Sequence, residues 1–196
     1  MDVLLDTERL TLRRFTEDDV DLLVELDSDP EVMRFLTGEP TPRSEIEGEV
    51  LPRILRDYER GPAGRWAAIE RASGRFVGWF ALQPPEDGGI AEVELGYRLE
   101  ASVWGRGYAT EGARALLRTA FTELGVERVW AQTMAVNSAS RRVLEQVGLR
   151  YLRTFHLHFE DPLPGTEHGE VEYELTRTDW TTLPANRMRD HQRSLR

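Results

Sequence analysis

The ten residues "VWGRGYATEG" at positions 103–112 set three glycines among an aromatic and a basic side chain, where one hydrophobic pattern gives way to another. Before them, "AEVELGYRL" (91–99) alternates strictly. Ala91, Val93, Leu95 and Tyr97 or Leu99 point one way and Glu92, Glu94 and Arg98 the other, the pattern of a half-buried strand. After them, Ala109, Ala113, Leu116, Leu117, Ala120, Phe121 and Leu124 recur at three and four residues up to Gly125, which predicts a helix with a glycine stop. A glycine-rich turn between a strand and a helix start offers unpaired N–H groups aimed one way, reinforced by the positive end of the helix dipole. Such a cradle suits an anion, most often a phosphate. Two better-known phosphate loops are excluded: the third glycine of a dinucleotide fingerprint would fall at Thr110, and no Gly-Lys-Ser/Thr occurs. A tight turn that only caps a helix is the other reading of the same residues.

Working outward, "RLTLRRF" (9–15) reads as a strand, and Thr16 with Asp19 as a capping-box variant ahead of "EDDVDLLVELDSD". A short segment from Pro30 and a loop lead to a helix marked by Ile46, Val50, Leu51, Ile54, Leu55 and Tyr58, which Pro52 bends or divides. "RWAAIERASGRFVGWFALQ" (65–83) is a hairpin turning at Gly74. Beyond the central helix come a strand "ERVWAQTMAV", a helix "NSASRRVLEQVG" ending at Gly148, and strands in "LRYLRTFHLHF" and "GEVEYELTR". These elements make one mixed α/β domain over residues 1–183, followed by a polar tail, 184–196, with almost no apolar content.

At 196 residues and 40% hydrophobic content, one compact domain is expected. The chain has no cysteine, which excludes disulfides, thiolate metal sites and a cysteine nucleophile. The acidic start and the lack of any membrane-length apolar run predict a cytoplasmic protein with no membrane partner. A formal charge of −10 argues against nucleic acid and towards amine-bearing partners, or serves solubility alone.

"GYRLEASVWGRGYATEGARALLRTAF", followed by "VWAQTMAVNSASRRVLEQVGL", resembles the GNAT superfamily of N-acetyltransferases. The likeness is to the RimJ/RimL-like group that includes ribosomal-protein N-terminal acetyltransferases, and it runs over about residues 7–180. The family loop, Arg/Gln-x-x-Gly-x-Gly/Ala, aligns with Trp104, Gly105, Arg106, Gly107, Tyr108 and Ala109; Trp104 departs from it, and Arg106 is the candidate to supply the missing charge. The resemblance implies a mostly antiparallel GNAT sheet of about seven strands. It also implies acetyl-CoA as cosubstrate without a metal, its pyrophosphate cradled from Trp104 to Thr110 and its pantetheine beside the strand ending at Leu99. Asn137 either caps the following helix or binds the pantetheine arm, and Arg142 is placed near the CoA phosphates.

Acetyl transfer to an amine needs a proton acceptor, an oxyanion donor and an acid for the departing thiolate. Many relatives use a tyrosine seven residues after the asparagine; position 144 here is Leu144. Ser140, in Asn-x-x-Ser spacing, is the candidate acid, with capping or solvent exposure as its other role. Glu94, then Glu92, are the candidate bases, against an ordinary solvated strand face, and Tyr97 is a wall residue. His156 and His158 share a strand face but have no third metal ligand at a suitable spacing. The expected activity is direct transfer to a small-molecule amine or a protein N-terminus in a ternary complex. The alternative is an acyl-CoA-binding sensor or scaffold without turnover. The acceptor pocket is expected around residues 36–45, the split helix and residues 160–169, and a homodimer through an edge strand is compatible with such a fold.

Overall fold

The computed structural model describes residues 2–85 and 89–184; all of the expected polar tail except Pro184 lies outside the described residues. Eight strands form one sheet: β1 (Val3–Asp6), β2 (Leu10–Arg14), β3 (Gly64–Glu70), β4 (Phe76–Gln83), β5 (Glu92–Leu99), β6 (Arg128–Met134), β7 (Arg150–Phe155) and β8 (Glu170–Thr176). They lie in the order β1-β2-β3-β4-β5-β6-β8-β7, and every pair is antiparallel except β5 with β6. The strand beyond the seven expected is β1, whose four residues are too few to show a period.

The helices are α1 (Val20–Ser28), α2 (Pro30–Met33), α3 (Arg43–Glu45), α4 (Leu51–Arg60), α5 (Tyr108–Thr122), α6 (Ser138–Gln146) and α7 (Arg177–Thr182). Pro52 falls in the first turn of α4, and a π-helical turn, Ile46–Val50, joins α3 to it. Because proline can donate no N–H, the wider turn divides the run, as the sequence predicts. α7 is a helix to which the sequence analysis assigned no element. Thr176 caps it by accepting from Asp179 N, and Trp180 packs on Phe121 with ring centroids 5.4 Å apart.

The strand alternation sorts side chains onto two faces. Val93, Leu95 and Leu99 join Leu116, Phe121 and Leu144 under α5 and α6, while Phe15, Leu23, Ile46, Ile54, Ala67 and Trp79 form a second core beneath α1 and α4. A Cβ at Gly112 would come within 2.2 Å of the Phe80 ring, so glycine there lets α5 settle directly on β4. That close seat fixes where the N-terminus of α5 stands, just beyond the C-terminal end of β5.

Candidate active site

The parallel pair β5–β6 meets at three positions only, Glu92–Arg128, Val93–Val129 and Glu94–Trp130. Past Glu94 the strands part, although β5 stays paired with β4 as far as Leu99. One edge of β5 therefore turns unpaired backbone groups into a slot through the sheet. The chain leaves Leu99, a core residue, through a 3-10 turn (Ala101–Val103) and enters the glycine loop at the mouth of that slot.

Gly105 and Gly107 have φ of 70° and 82°, the left-handed region that glycine occupies without strain, and Gly107 is the residue that starts α5. Nothing lies within 4 Å of where a Cβ on Gly105 would stand. Among the described residues, the N–H groups of Gly105, Arg106 and Gly107 make no backbone hydrogen bond. The first N–H groups of α5, from Tyr108, Ala109 and Thr110, have no partner within a helix either. The side chains of this loop turn elsewhere. Trp104 Nε1 donates to the Leu99 carbonyl at 2.8 Å, the Tyr108 hydroxyl donates to Glu70, and Thr110 Oγ1 donates to Gln146 Oε1 at 3.0 Å.

One basic residue at the cradle escaped the sequence reading. Arg9 donates from Nη1 to the Arg106 carbonyl at 2.8 Å and from Nε to Glu111 at 2.6 Å, and its guanidinium lies 4.3 Å over the Tyr108 ring. It thus holds the loop in shape and brings a positive charge beside it. No spacing signals this contact, which joins residues about a hundred positions apart.

Asn137 caps α6, its side-chain oxygen accepting from Ser140 N at 3.1 Å, while its amide NH2 makes no hydrogen bond among the described residues. Arg141 is fixed by Tyr173 and the Ala135 carbonyl, whereas Arg142 is exposed with no partner among the described residues. Leu144 is a core residue.

The Tyr97 side chain reaches from β5 to the first turn of α6. Its hydroxyl stands 3.1 Å from Ser140 Oγ and donates to the Ser140 carbonyl at 3.2 Å. Burial pushes the Tyr97 hydroxyl up to about 12, the Ser140 contact opposing this, so the phenol keeps its proton at neutral pH. Glu94 leaves the opposite face of β5, at the last paired position before the slot. It has no hydrogen-bond partner among the described residues, and burial holds its carboxyl above the usual carboxylate range. Glu92 behaves differently: it is exposed and bridged to Arg128 at 3.2 Å, in a ladder that continues through Glu174 and Glu172.

His156 and His158 line an open hollow with Leu163, Pro164 and Glu167, of which the last three fall inside the segment 160–169 expected to border the acceptor. Among the described residues no three His, Cys, Asp or Glu side chains gather as a metal site, and no helix is long and apolar enough to cross a membrane.

The glycine loop thus turns backbone N–H groups towards the mouth of the slot, with Glu94 on one face of β5 and the Tyr97–Ser140 pair on the other. The chain belongs to the acetyltransferase (GNAT) domain family, whose model matches residues 9–150. It is 38% identical over 187 residues to an FsC-acetyl coenzyme A-N(2)-transacetylase of Aspergillus fumigatus, covering 91% of this chain and 78% of that one. The fold is shared with a RimL ribosomal L7/L12 alpha-N-protein acetyltransferase in complex with coenzyme A: TM-score 0.74, 18% identity, 89% of this chain and 98% of the other. It is shared equally with a Vibrio cholerae spermidine N-acetyltransferase in complex with CoA and spermine: TM-score 0.74, 16% identity, 90% of this chain and 100% of the other.

Proposed function

We propose that the protein transfers an acetyl group from acetyl-CoA directly to the amine of a small molecule, with both substrates bound together. The observation that carries this reading is the division of β5: Glu94 on one face and the Tyr97–Ser140 pair on the other, where the slot opens. In this reading the amine approaches on the Glu94 face, and Glu94 takes its proton directly or through water as the nitrogen attacks the thioester carbonyl. Ser140, backed by the Tyr97 hydroxyl, donates a hydrogen bond to the departing sulfur on the far face, so that CoA leaves as a stabilised thiolate. The proton taken by Glu94 is released to water, and the thiolate is protonated from water. Glu92 is tied to Arg128 and has no part in the step. The cradle from Trp104 to Thr110 would hold the pyrophosphate through its backbone, with the Asn137 NH2, Arg142 and Arg9 near the rest of the cosubstrate.

A small amine is favoured over a protein N-terminus because the relative of 38% identity is named for transfer to an N(2) nitrogen, whereas the likeness to the ribosomal-protein enzyme at 18% identity extends to the fold alone. The test is an acetyl-CoA titration by calorimetry on the wild type and Gly107→Val, followed by CoA release with a panel of amines. Valine at a φ of 82° is strained, so the variant loses at least about tenfold in affinity while its circular dichroism is kept. Equal affinity in the two proteins would remove the cradle from the site. Glu94→Gln lowers kcat by about 10²- to 10⁴-fold, and wild-type kcat rises with pH through the raised value of Glu94 because the base acts only when deprotonated.

A further inference from the structure

We propose that the acceptor amine also carries a carboxylate, and that Arg65, in the cavity between α4 and the start of β3, binds that carboxylate. The inference rests on the reading above, in which the acceptor approaches on the Glu94 face.

Three arginines leave that same face of the sheet: Arg13 from β2, Arg65 from β3 and Arg98 from β5. Arg13 holds Asp19 through two hydrogen bonds of 2.6 and 2.7 Å, and Arg98 holds Asp27. The Arg65 side chain has neither a hydrogen bond nor an ion pair among the described residues. Its guanidinium rests 4.1 Å over the Trp79 ring, and its Nε is sealed from solvent without a partner. All three arginines have an orphaned Nε, so the distinction of Arg65 is the missing carboxylate on its terminal nitrogens. The charges nearest to it include two of its own sign, Arg98 and Arg53, against Asp27 and Asp57. Burial and those cations pull its guanidinium down to about 10, which still leaves it protonated at neutral pH. A cation packed inwards against its own kind is costly until an anion joins it.

The space for that anion is present. A cavity of about 820 Å³ is lined by Arg65, Arg53, Arg56, Arg60 and Gln83, with Asp57 and Glu59 also on its wall. Gln83 is the register partner of Glu94, so the cavity adjoins the base. Arg65 pairs with Ala81 and Ala81 with Gly96, which puts Arg65 two strands across and one side-chain row along from Glu94. Strand spacings make that about 12 Å between backbones. Two long side chains shorten the gap to the span of a small molecule whose amine and carboxylate lie a few bonds apart. Glu94 and Arg65 are thus two unpaired charges of opposite sign on one face, the complement of a zwitterionic amine. The cavity runs against the charge of −10 on the whole chain, which by itself would favour cationic acceptors.

Two measurements decide the matter. In the first, CoA release is followed with matched amines: L-phenylalanine against phenethylamine, L-leucine against 3-methylbutylamine, L-lysine against cadaverine. Wild type prefers the carboxylated member in kcat/KM; Arg65→Gln collapses that ratio by about 10- to 100-fold and Arg65→Lys restores part of it. No preference in wild type, or a ratio unmoved in Arg65→Gln, overturns the proposal. In the second, which needs no turnover, the melting temperatures of wild type and Arg65→Gln are compared in sodium succinate and in sodium chloride of equal ionic strength. Succinate raises the wild-type value selectively and does not raise that of the variant. Stabilisation through Arg65 without turnover of any amine would sink the transfer reading and keep the anion site. Turnover with no effect of Arg65 in either measurement would keep the transfer reading and sink the anion site.

Discussion

Arg13 and Arg65 stand on adjacent strands and face the same core, yet their surroundings are opposite. Arg13 meets a carboxylate that is itself built into the chain's first turn: Asp19 accepts from both ends of the guanidinium and from Thr16 N at 2.8 Å. Burial alone would raise the Asp19 carboxyl, and the Arg13 and Thr16 contacts outweigh it, holding Asp19 below its usual value. Arg65 has a tryptophan face, two like charges and an open cavity. The first arginine is finished by folding, and the second is left for a ligand to finish. A buried charge is thus informative mainly through what stands, or fails to stand, opposite it.

The contrast can be broken from either side. Asp19→Ala strands a buried guanidinium and removes a helix cap, which costs about 3–5 kcal/mol in urea unfolding. A loss under about 1 kcal/mol would mean that Arg13 is as self-sufficient as Arg65 and that the comparison has no content. Glu94 sharpens it from the acidic side. Its native carboxyl titrates above the unfolded one, so the native state holds more protons between the two values. Wild-type stability accordingly falls as pH rises through that window and levels off above it. Glu94→Gln removes the fall and leaves the variant the more stable protein at pH 8, measurable by chemical denaturation at a series of pH values. The smallest effect is expected at Arg65 itself: Arg65→Met changes stability by about 0–1 kcal/mol, in the stabilising direction, because no partner is left behind. A loss as large as that of Asp19→Ala would show that Arg65 has a structural partner after all.

Much of the fold could be read from the residues because the periods are strong. The two-residue alternation of 91–99, the helical stride from Ala109 and the hairpin at Gly74 each became the expected element. β1 escaped because four residues carry no period, and α7 escaped because its cap, Thr176, is also the last residue of β8. The site was legible where chemistry is local. Glycines of positive φ announce a turn that other residues resist, and an asparagine before an amphipathic run announces a cap. What stayed hidden depends on contacts between distant segments: Arg9 against Glu111, Tyr97 against Ser140, and an arginine without a carboxylate. Sequence states which charges exist, whereas pairing is decided when strands are laid side by side.

The three-residue seam between β5 and β6 has a further consequence. Among the described residues that short stretch is all the backbone ladder that joins the first five strands to the last three, and the two halves are otherwise held by the core beneath α5 and α6. A molecule lying along the unpaired edge from Leu95 to Leu99 would serve as a temporary strand, lengthening the ladder where the protein's own ends. Amide hydrogen exchange along that edge should then slow when acetyl-CoA is added, making the cosubstrate a structural member of the sheet for as long as it stays bound.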